Sequence, residues 1–522
     1  MLVTTEQMRE LDRRTIEDCG VKGEVLMERA GGGVAALVRR MAEIAGFVNP
    51  MIHLIAGRGQ NGGDVFVVAR LLKEVGYQVE VWLAGHINQI SGDALIHFGK
   101  MKQAEIDTYE IPTMEDWQML AKNPFYAEII VDGILGTGIS GPARGPAAGA
   151  IQYIRKCAQD SLVVSIDIPS GVNGDTGAAE GDAVVADLTA TIGLPKVGLV
   201  SQNAIDNVGS LDVVDIGIPD ELIEELTPAD NVDLLHLNNL KQLFKRRSRN
   251  SHKGNYGHVL VVGGSRLHTG AASLCSRAAL RSGAGLVTAL VPCSLQTAVA
   301  CDTPELMVWP GVETHDGELS EENIAWLEDN MSRFNSVVIG PGMAISDSTK
   351  KIVGWMLDNV DVPVVFDADA LNVWAEEPER LKQSKASGIF TPHPGELARL
   401  LGTDAATIQA DRRVSAERAV DLLGGIVVLK GAGTLVAEKG KPIQVNLNGN
   451  PGMATGGSGD VLSGIISGFL AQHFTPFDAA RCGVFVHGRA GDYGAWRRCQ
   501  AGLLAGDITE ELPYALRDLV LR

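Results

Sequence analysis

The sequence contains no Cys-x-x-Cys pair, and its seven cysteines are scattered along the chain: Cys19, Cys157, Cys275, Cys293, Cys301, Cys482 and Cys499. An odd, dispersed set indicates reduced thiols and argues against a disulfide framework or a zinc site. No apolar run approaches the roughly 18 residues of a membrane-spanning helix. The N-terminus, MLVTTEQMRE, also lacks the charged-then-apolar pattern of a signal peptide. We therefore expect a cytoplasmic protein without membrane contact.

An excess of positive charge is missing as well. The chain has 45 Lys and Arg against 64 Asp and Glu, a formal net charge of −19, which argues against nucleic acid as a partner. Its 522 residues are too many for one ordinary core, so two or three domains are expected. The 61 glycines are numerous and clustered, which suggests binding sites lined by backbone.

The first 220 residues predict an α/β domain with Rossmann-like layers. MIHLIAG (51–57) is typical of a buried strand, and a glycine-rich turn, a helix and the strand QVEVWLAG follow it, forming one βαβ unit. Further strands are predicted at 127–135, 162–169, 190–194 and 211–219. Thr4 and Gln7 fit a capping box at the start of the first helix.

A second α/β series follows an acidic, weakly patterned stretch, 220–235, where we place the domain boundary. The predicted domains are 1–222 and 236–522. The second series begins at HVLVVGGS (258–265) and closes with helical patterns at 460–472 and 478–490. The basic run KRRSRN (245–250) fits either a solvated connector or a phosphate contact.

The stretch NPGMATGGSGDVLSGI (450–465) has almost bare backbone at the start of a predicted helix, with one carboxylate. Glycines before a helix let backbone N–H groups converge on an anion. An aspartate there would repel a bound phosphate, but it can take a proton from an attacking hydroxyl. Gly457, Gly459 and Asp460 therefore fit an anion hole with a base. A structural turn with an aspartate near the helix start fits too.

Four other loops with polar or glycine residues follow predicted strands: GPG (340–342), DADALN (367–372), TPHPGE (391–396) and KGAGT (430–434). Ligands of open α/β sheets bind at such strand ends. His393 lies between two prolines on a rigid turn, where a structural and a functional role are both open.

These motifs resemble the ribokinase-like fold, and TPHPGE, KGAGT and NPGMATGGSGDVLSGI together resemble its branch that dehydrates NAD(P)H hydrate. The first half resembles NAD(P)H-hydrate epimerase domains through GQNGGD (59–64), VDGILGTG (131–138), DIPSGVNGDTG (167–177) and GLPKVGL (193–199). Their order and the chain length are similar to those of microbial proteins that fuse both domains. The resemblance implies epimerisation of the R and S hydrates of NADH and NADPH (NADHX and NADPHX). It also implies ADP-dependent dehydration of the S epimer to NAD(P)H, AMP and phosphate.

For the first domain, the resemblance implies a substrate cradle, a potassium ion and one proton-handling group. The cradle would be formed by Gln60, Asn61, Gly62, Gly63, Asp64, Gly136, Thr137, Gly138, Ile139 and Ser140. Potassium would bind Asn61, Asp132 and Ser170, whose oxygens suit a hard cation, although turn or cap roles are open. Asp167 would contact the substrate and handle the proton, with weak help from Lys196.

Two positions depart from the family loop G-N-N-G-G-D-G. Gln60 lengthens the first amide, and Val65 replaces the last glycine and restricts the backbone. A first domain that only binds or regulates is therefore an alternative to an active epimerase.

For the second domain, the resemblance implies that Asp460 activates the substrate hydroxyl while the Gly457–Gly459 amides hold the transferring phosphoryl group. Nucleotide contacts would come from Lys430, Gly431, Ala432, Gly433, Thr434 and Gly459, and hydrate contacts from Ala271, Gly342, His393 and Asp460. Mg²⁺ is expected at the phosphates, without an assigned protein ligand. The resemblance favours ADP over ATP, and a homo-oligomer. The alternative is a ribokinase-like kinase, such as a vitamin-precursor kinase, that stops after phosphoryl transfer.

Overall fold

A computed structural model describes residues 1–138, 141–226 and 232–520 of the chain. The chain divides into two compact units, Met1–Asp230 and Asn231–Arg522. None of the helices in the described ranges has the length and apolarity that crossing a membrane requires. All seven cysteines are free.

The first unit is built on a parallel sheet, which has seven strands within the described ranges. Their order is β3-β2-β1-β4-β5-β6-β7. The strands are β1 (Met51–Ala56), β2 (Gln78–Leu83), β3 (Asp107–Glu110), β4 (Ile129–Gly133), β5 (Leu162–Ile166), β6 (Leu188–Ile192) and β7 (Ser210–Val214). The strand order reverses between β1 and β4, and the loops after these two strands therefore flank the crevice where such sheets bind ligands.

Helices cover both faces of this sheet. They are α1 (Thr5–Glu17), α2 (Gly23–Ala45), α3 (Gln60–Glu74), α4 (Gly92–Gln103), α5 (Met114–Leu120), α6 (Pro146–Cys157), α7 (Ile205–Val208) and α8 (Asp220–Leu226). Val65 of α3 packs on Gly133, whereas Ile130, the opposite face of the same strand, belongs to a core cluster with Trp117 of α5 and Ile154 of α6. The three-layer arrangement expected from the sequence is confirmed.

The second unit is built on a mixed sheet of ten strands, counted over the described part of the chain. The order is β11-β10-β9-β12-β13-β14-β15-β16-β17-β8. The strands are β8 (Val232–Leu234), β9 (His258–Val262), β10 (Leu286–Pro292), β11 (Met307–Gly311), β12 (Ser336–Ile339), β13 (Val364–Phe366), β14 (Gly388–Phe390), β15 (Ile426–Leu429), β16 (Thr434–Ala437) and β17 (Ile443–Asn446). Among the described strands, only β16 runs antiparallel to its two neighbours. The loops that follow the parallel strands therefore leave the sheet at one edge.

The helices of this unit are α9 (Leu237–Lys241), α10 (Thr269–Arg281), α11 (Gln296–Asp302), α12 (Asn323–Asn330), α13 (Asp347–Asn359), α14 (Asp369–Asn372), α15 (Pro394–Leu401), α16 (Ala405–Ala410), α17 (Arg412–Leu423), α18 (Ser458–Ala471), α19 (Pro476–Arg497) and α20 (Ala505–Leu519). Helix α18 can pack closely on α10 because Gly464 has no side chain. A Cβ at this position would lie 2.1 Å from the carbonyl oxygen of Cys275.

The stretch 220–235, where the sequence predicted the domain boundary, contains a helix of the first unit and a strand of the second. Helix α8 belongs to the first unit, where Glu225 pairs with Arg14 at 2.8 Å. Strand β8 pairs with β17, so the second sheet includes residues before the predicted start at 236. The sequence missed β8 because three residues carry too little periodicity to be recognised.

Candidate functional site

In the first unit, the loop after β1 leads directly into the bare N-terminus of α3. Gly59 is the N-cap and provides no side-chain cap, so Gln60, Asn61 and Gly62 begin the helix with backbone N–H groups that a ligand can use. Two glycines make the turn possible. A Cβ on Gly57 would lie 1.9 Å from the carbonyl oxygen of Ile134, and one on Gly62 would lie 2.0 Å from that of Gly57.

The predicted potassium ligands lie in one hydrogen-bonded network. Asp132 is fully buried at the end of β4 and accepts from Ser165 Oγ at 2.9 Å and from Ser170 Oγ at 2.6 Å. Burial raises the pKa of Asp132, and these hydrogen bonds oppose the rise. Ser170 and Asn61 both contact the carbonyl oxygen of Leu135, at 3.3 and 2.9 Å.

One atom of this network has no partner. Asn61 donates its amide to the carbonyl oxygens of Leu135 and Ile166, but its own Oδ1 is buried and accepts no hydrogen bond from the described residues. A buried amide oxygen without a partner is costly, and a cation would satisfy it. The donor set therefore fits a hard cation such as potassium.

Asp167 and Lys196 form a buried ion pair at the end of β5. Lys196 is completely buried, and its Nζ lies 2.5 Å from Asp167 Oδ1 and 2.8 Å from the carbonyl oxygen of Ile192. Asp167 has a φ of +67°, a strained conformation for a residue other than glycine. All the hydrogen bonds that Asp167 accepts from described residues fall on Oδ1.

Two further carboxyl groups interact with this ion pair. Burial raises the pKa of Asp12 to about 6, with Asp167 adding to the rise and Lys196 opposing it. Burial and then Asp167 raise the pKa of Asp64 well above its usual range. Asp64 belongs to the predicted cradle. Asp12 was missed because its helix lies some 50 residues before the motif, and only the fold brings the two together.

The second cradle segment is only partly described. Gly136 lies against Asn61, since a Cβ on it would be 3.4 Å from Asn61 Cγ. The carbonyl oxygen of Thr137 accepts a hydrogen bond from Arg9, and Gly138 has open space where a Cβ would lie. The predicted contacts Ile139 and Ser140 lie outside the described residues.

The departures at Gln60 and Val65 have simple surroundings. Gln60 is exposed at the start of α3. Val65 is fully buried in the helical part of α3, where no unusual backbone conformation is needed. A β-branched residue can adopt this backbone conformation. Val65 packs where a Cβ on Gly133 would otherwise lie, 2.2 Å from its Cγ2.

In the second unit, Asp367 at the end of β13 joins three elements. Its Oδ1 lies 2.7 Å from Nζ of Lys430, which follows β15, and its Oδ2 accepts from Ser463 of α18 at 2.6 Å. Asp367 is 1% exposed. Burial disfavours the charge of Lys430, but Asp367 and Glu396 raise its pKa on balance. The sequence pointed to the loop of Asp367 without assigning that residue a role.

The GGSGD segment forms the start of α18, where the sequence predicted an anion hole; we call the backbone of Gly457–Gly459 the glycine nest. Gly457 is the N-cap with a left-handed φ of +89°, and no side chain caps the helix. A Cβ on Gly459 would lie 3.3 Å from Lys430 Nζ, so the ammonium group lies beneath the nest. Asp460 accepts no hydrogen bond from the described residues, and burial and then Asp367 raise its pKa to about 7. Asp460 is therefore suited to exchange a proton near neutral pH.

His393 is the N-cap of α15, which supports a structural role. This capping uses one ring nitrogen and leaves the other for other contacts. Nδ1 accepts from the N–H groups of Gly395 and Glu396, at 3.0 and 3.2 Å. Nε2 lies 3.4 Å from Glu396 Oε1, and half of the side chain is exposed. Burial and then Lys430 lower the pKa of His393, so the ring is neutral near pH 7. Glu396 also lies 3.7 Å from Lys430, and the motif had not singled it out.

The remaining residues predicted to contact the hydrate, Ala271 and Gly342, lie side by side. A Cβ on Gly342, whose φ is +62°, would lie 2.9 Å from Ala271 Cβ. Ala271 lies in the first turn of α10, and Leu274 of the same helix contacts Gly457 in the nest. The structure thus gathers the loops after β12, β13, β14 and β15 around the start of α18.

The loop KGAGT lies at the same edge. Lys430 donates its backbone N–H to Pro392 at 3.0 Å, which joins this loop to the loop of His393. Gly431 and Gly433 have φ values of +124° and +65°, and Ala432 is exposed. Thr434 closes the loop by donating to the carbonyl oxygen of Gly431 at 2.8 Å.

Two other expectations concern metal and charge. Within the described ranges, no group of three or more His, Cys, Asp or Glu side chains is placed to hold a metal ion. In the basic run 245–250, Arg247 donates to the carbonyl oxygen of Gly283 at 2.6 Å and stacks on Tyr256. The run is otherwise exposed, as a solvated connector would be.

Comparison with known proteins gives two family matches. Residues 259–514 match the family model described as NAD(P)H-hydrate dehydratase, and residues 23–198 match the one described as YjeF-related protein N-terminus. A protein named Bifunctional NAD(P)H-hydrate repair enzyme Nnr, from Moorella thermoacetica, is 40% identical over 99% of this chain and 97% of its own. The protein of the same name from Coxiella burnetii is 37% identical over 98% of both chains.

A solved structure is similar to part of the chain. The structure is described as an ADP/ATP-dependent NAD(P)H-hydrate dehydratase from Bacillus subtilis co-crystallised with ATP and Mg²⁺. It covers 56% of this chain and 100% of its own, with 29% identity and a TM-score of 0.49.

Proposed function

This chain belongs to the bifunctional NAD(P)H-hydrate repair enzymes, and we propose a separate role for each of its units. The first unit epimerises the hydrates of NADH and NADPH. The second dehydrates the S epimer at the expense of ADP. The observation that carries the proposal is the position of Lys430 Nζ close to Gly459, in the first turn of α18. Asp460 lies in the same turn, and its carboxyl group accepts no hydrogen bond from the described residues.

In the second unit, phosphoryl transfer converts a poor leaving group into a good one. Asp460 takes the proton of the C6 hydroxyl while the hydroxyl oxygen attacks the β-phosphorus of ADP, and AMP departs. The N–H groups at the start of α18 and the ammonium of Lys430 stabilise the charge on the transferring group. The ring nitrogen then expels phosphate, and loss of a proton from C5 restores the double bond of NAD(P)H.

We propose that the loop Lys430–Thr434 binds the nucleotide and that Ala271, Gly342 and His393 contact the hydrate. Their common position at one sheet edge supports this assignment. Mg²⁺ bound to the phosphates would neutralise charge during transfer, with ADP itself supplying oxygen ligands.

In the first unit, epimerisation at C6 requires a proton to be moved on and off the substrate. Asp167 is the proposed proton carrier, because its Oδ2 accepts no hydrogen bond from described residues while Oδ1 is fixed by Lys196. The cradle at the start of α3 would hold the substrate phosphates by backbone N–H groups.

Potassium is proposed at Asn61, Asp132 and Ser170. The buried, unpartnered Oδ1 of Asn61 supports it. The cation would supply positive charge at the base of the phosphate cradle, and the three residues would hold it there.

The decisive experiment incubates the purified protein with a mixture of R and S hydrate and ADP. We expect the absorbance of reduced nicotinamide to return for both epimers, with one AMP released per NAD(P)H formed. A kinase that stops after transfer would release AMP without restoring this absorbance. Restoration from the S epimer alone would remove the epimerase role.

ADP is proposed as the phosphoryl donor on the basis of the resemblance to microbial fused enzymes. Steady-state kinetics with each nucleotide test this choice, and a higher kcat/KM for ATP would contradict it. A homo-oligomeric state and a cytoplasmic location remain predictions, which light scattering and cell fractionation address.

A further inference from the structure

Arg412, the first residue of α17, lies directly beneath the loop Lys430–Thr434 and is only 5% exposed. Its NH2 donates to the carbonyl oxygens of Leu429, Lys430 and Gly433, at 3.0, 3.2 and 3.4 Å. One guanidinium group thus contacts both ends of the loop. Its NH1 is held by Gln409 Oε1 at 2.6 Å.

The charge of Arg412 has no counterion. It forms no ion pair with a carboxylate of the described residues, and its buried Nε has no hydrogen-bond partner there. Burial lowers its pKa to about 10, so it stays charged at neutral pH. Burying a cation is costly unless it has a counterion and all its donors are hydrogen-bonded, and Arg412 has neither a described counterion nor an acceptor for Nε. A structural role alone therefore explains this residue poorly.

The contacts of Arg412 also fix the direction of a loop N–H group. In a planar trans peptide, the carbonyl of one residue points opposite to the N–H of the next. Because the carbonyl of Lys430 points down to Arg412, the N–H of Gly431 points away from it. No described group accepts from this N–H, and Gly431 is exposed.

We propose that Arg412 is a positioning residue for nucleotide binding: it orients the Lys430–Gly431 peptide so that its N–H faces the bound nucleotide, and its buried charge favours an anion on the loop. This inference rests on the proposed function of the second unit. Arg412 acts through the loop and does not touch the reacting atoms.

The test is the Kd for ADP with Mg²⁺, measured by calorimetry on the full chain. Arg412→Lys keeps the charge but loses the planar fork, which a compact ammonium cannot replace. Losing hydrogen bonds to a charged group should raise this Kd on the order of tenfold or more. The KM for the hydrate and the rate of epimerisation should stay within about twofold, because those contacts lie elsewhere. Arg489→Lys, at another buried arginine of this unit, is the matched control and should leave the Kd unchanged.

Two outcomes would overturn the inference. One is a folded Arg412→Lys protein that binds ADP like the wild type. Gln409→Ala removes only the contact to NH1 and should weaken ADP binding about two- to fivefold. The other outcome is an unchanged Kd for this variant, which decides the question if Arg412→Lys does not fold. A wild-type protein that fails to bind ADP would instead contradict the proposed function itself.

Discussion

Lys430 Nζ lies 2.7 Å from Asp367 Oδ1, and this ion pair holds the ammonium group beneath the glycine nest of α18. Asp367 is nearly inaccessible and also bonds Ser463 of that helix, so one carboxylate fixes both the cation and the helix that carries the nest. Removing Asp367 should therefore disturb both the position of Lys430 and the start of α18. In the proposed mechanism, the ion pair would keep Lys430 in place to stabilise charge in the transition state.

The first prediction concerns Asp460→Asn, which preserves shape and removes the base. General-base catalysis is typically worth about 10²–10⁴-fold, so the ADP-dependent dehydration rate should fall by that much. Epimerisation belongs to the other unit and should continue at the wild-type rate, which provides an internal control. The affinity for ADP should hold or rise slightly, because a repulsive charge has gone. Dehydration within about threefold of wild type would show that Asp460 is not the base.

The second prediction is a pH dependence of dehydration centred near the pKa of Asp460, about 7. The ionised form is the base, so kcat/KM for the hydrate should fall about tenfold per unit as pH drops below that value. The measurement is kcat/KM with saturating ADP across the neutral range, checked for an unchanged profile of epimerisation.

Asp367→Asn should move this acid limb to lower pH, since the carboxylate of Asp367 raises the pKa of Asp460. The same variant should lower the maximal rate, because Lys430 loses its partner. A limb that stays in place, or moves to higher pH, would contradict the assignment of the limb to Asp460.

The third prediction is a monovalent cation at Asn61, Asp132 and Ser170. Anomalous scattering from a rubidium-soaked crystal should show a peak within coordinating distance of Asn61 Oδ1, the buried oxygen without a partner. No peak among these three side chains would rule the site out. Ser165→Ala is a useful control, because it removes a hydrogen bond from Asp132 without removing a proposed ligand.

The fourth prediction concerns Val65→Gly, which restores the glycine of the family loop. Val65 is fully buried in α3, so the change should lower the free energy of unfolding by about 2–4 kcal/mol, from lost burial and from glycine in a helix. Epimerase activity per folded molecule should change little, because the backbone at this position is already helical. Val68→Gly, buried on the same helix, should destabilise similarly. A large gain in activity for Val65→Gly alone would show that the valine does restrict the loop.

Local sequence patterns predicted most strands of the two sheets and the loops that come together at their edges. Strand-end loops such as KGAGT and TPHPGE could be assigned because glycine, proline and polar residues interrupt strongly apolar runs. The predicted potassium ligands also come together, since Asp132 lies at the end of β4, and Asn61 and Ser170 lie in the segments that follow the neighbouring strands β1 and β5.

Contacts that depend on packing could not be found this way. Asp367 was visible only as part of a loop, and its role depends on Ser463, 96 residues later. Arg412 occupies a helix start without any motif, so nothing in the sequence distinguishes it from a surface arginine. The helical backbone at Val65 could not be foreseen either, because the glycines before it predicted a turn, whereas helix α3 already begins at Gln60.

The packing of Val65 on Gly133 makes the residue types at these two positions depend on each other. With alanine at position 133, a Cβ would lie 2.2 Å from the valine Cγ2, a distance that side chains do not adopt. Valine at position 65 is therefore compatible with glycine at 133, whereas a larger residue at 133 would require the valine or the strand to move. A smaller residue at position 65 would relieve this contact, so Gly133→Ala should be tolerated better in a Val65→Gly background than in the chain as it stands.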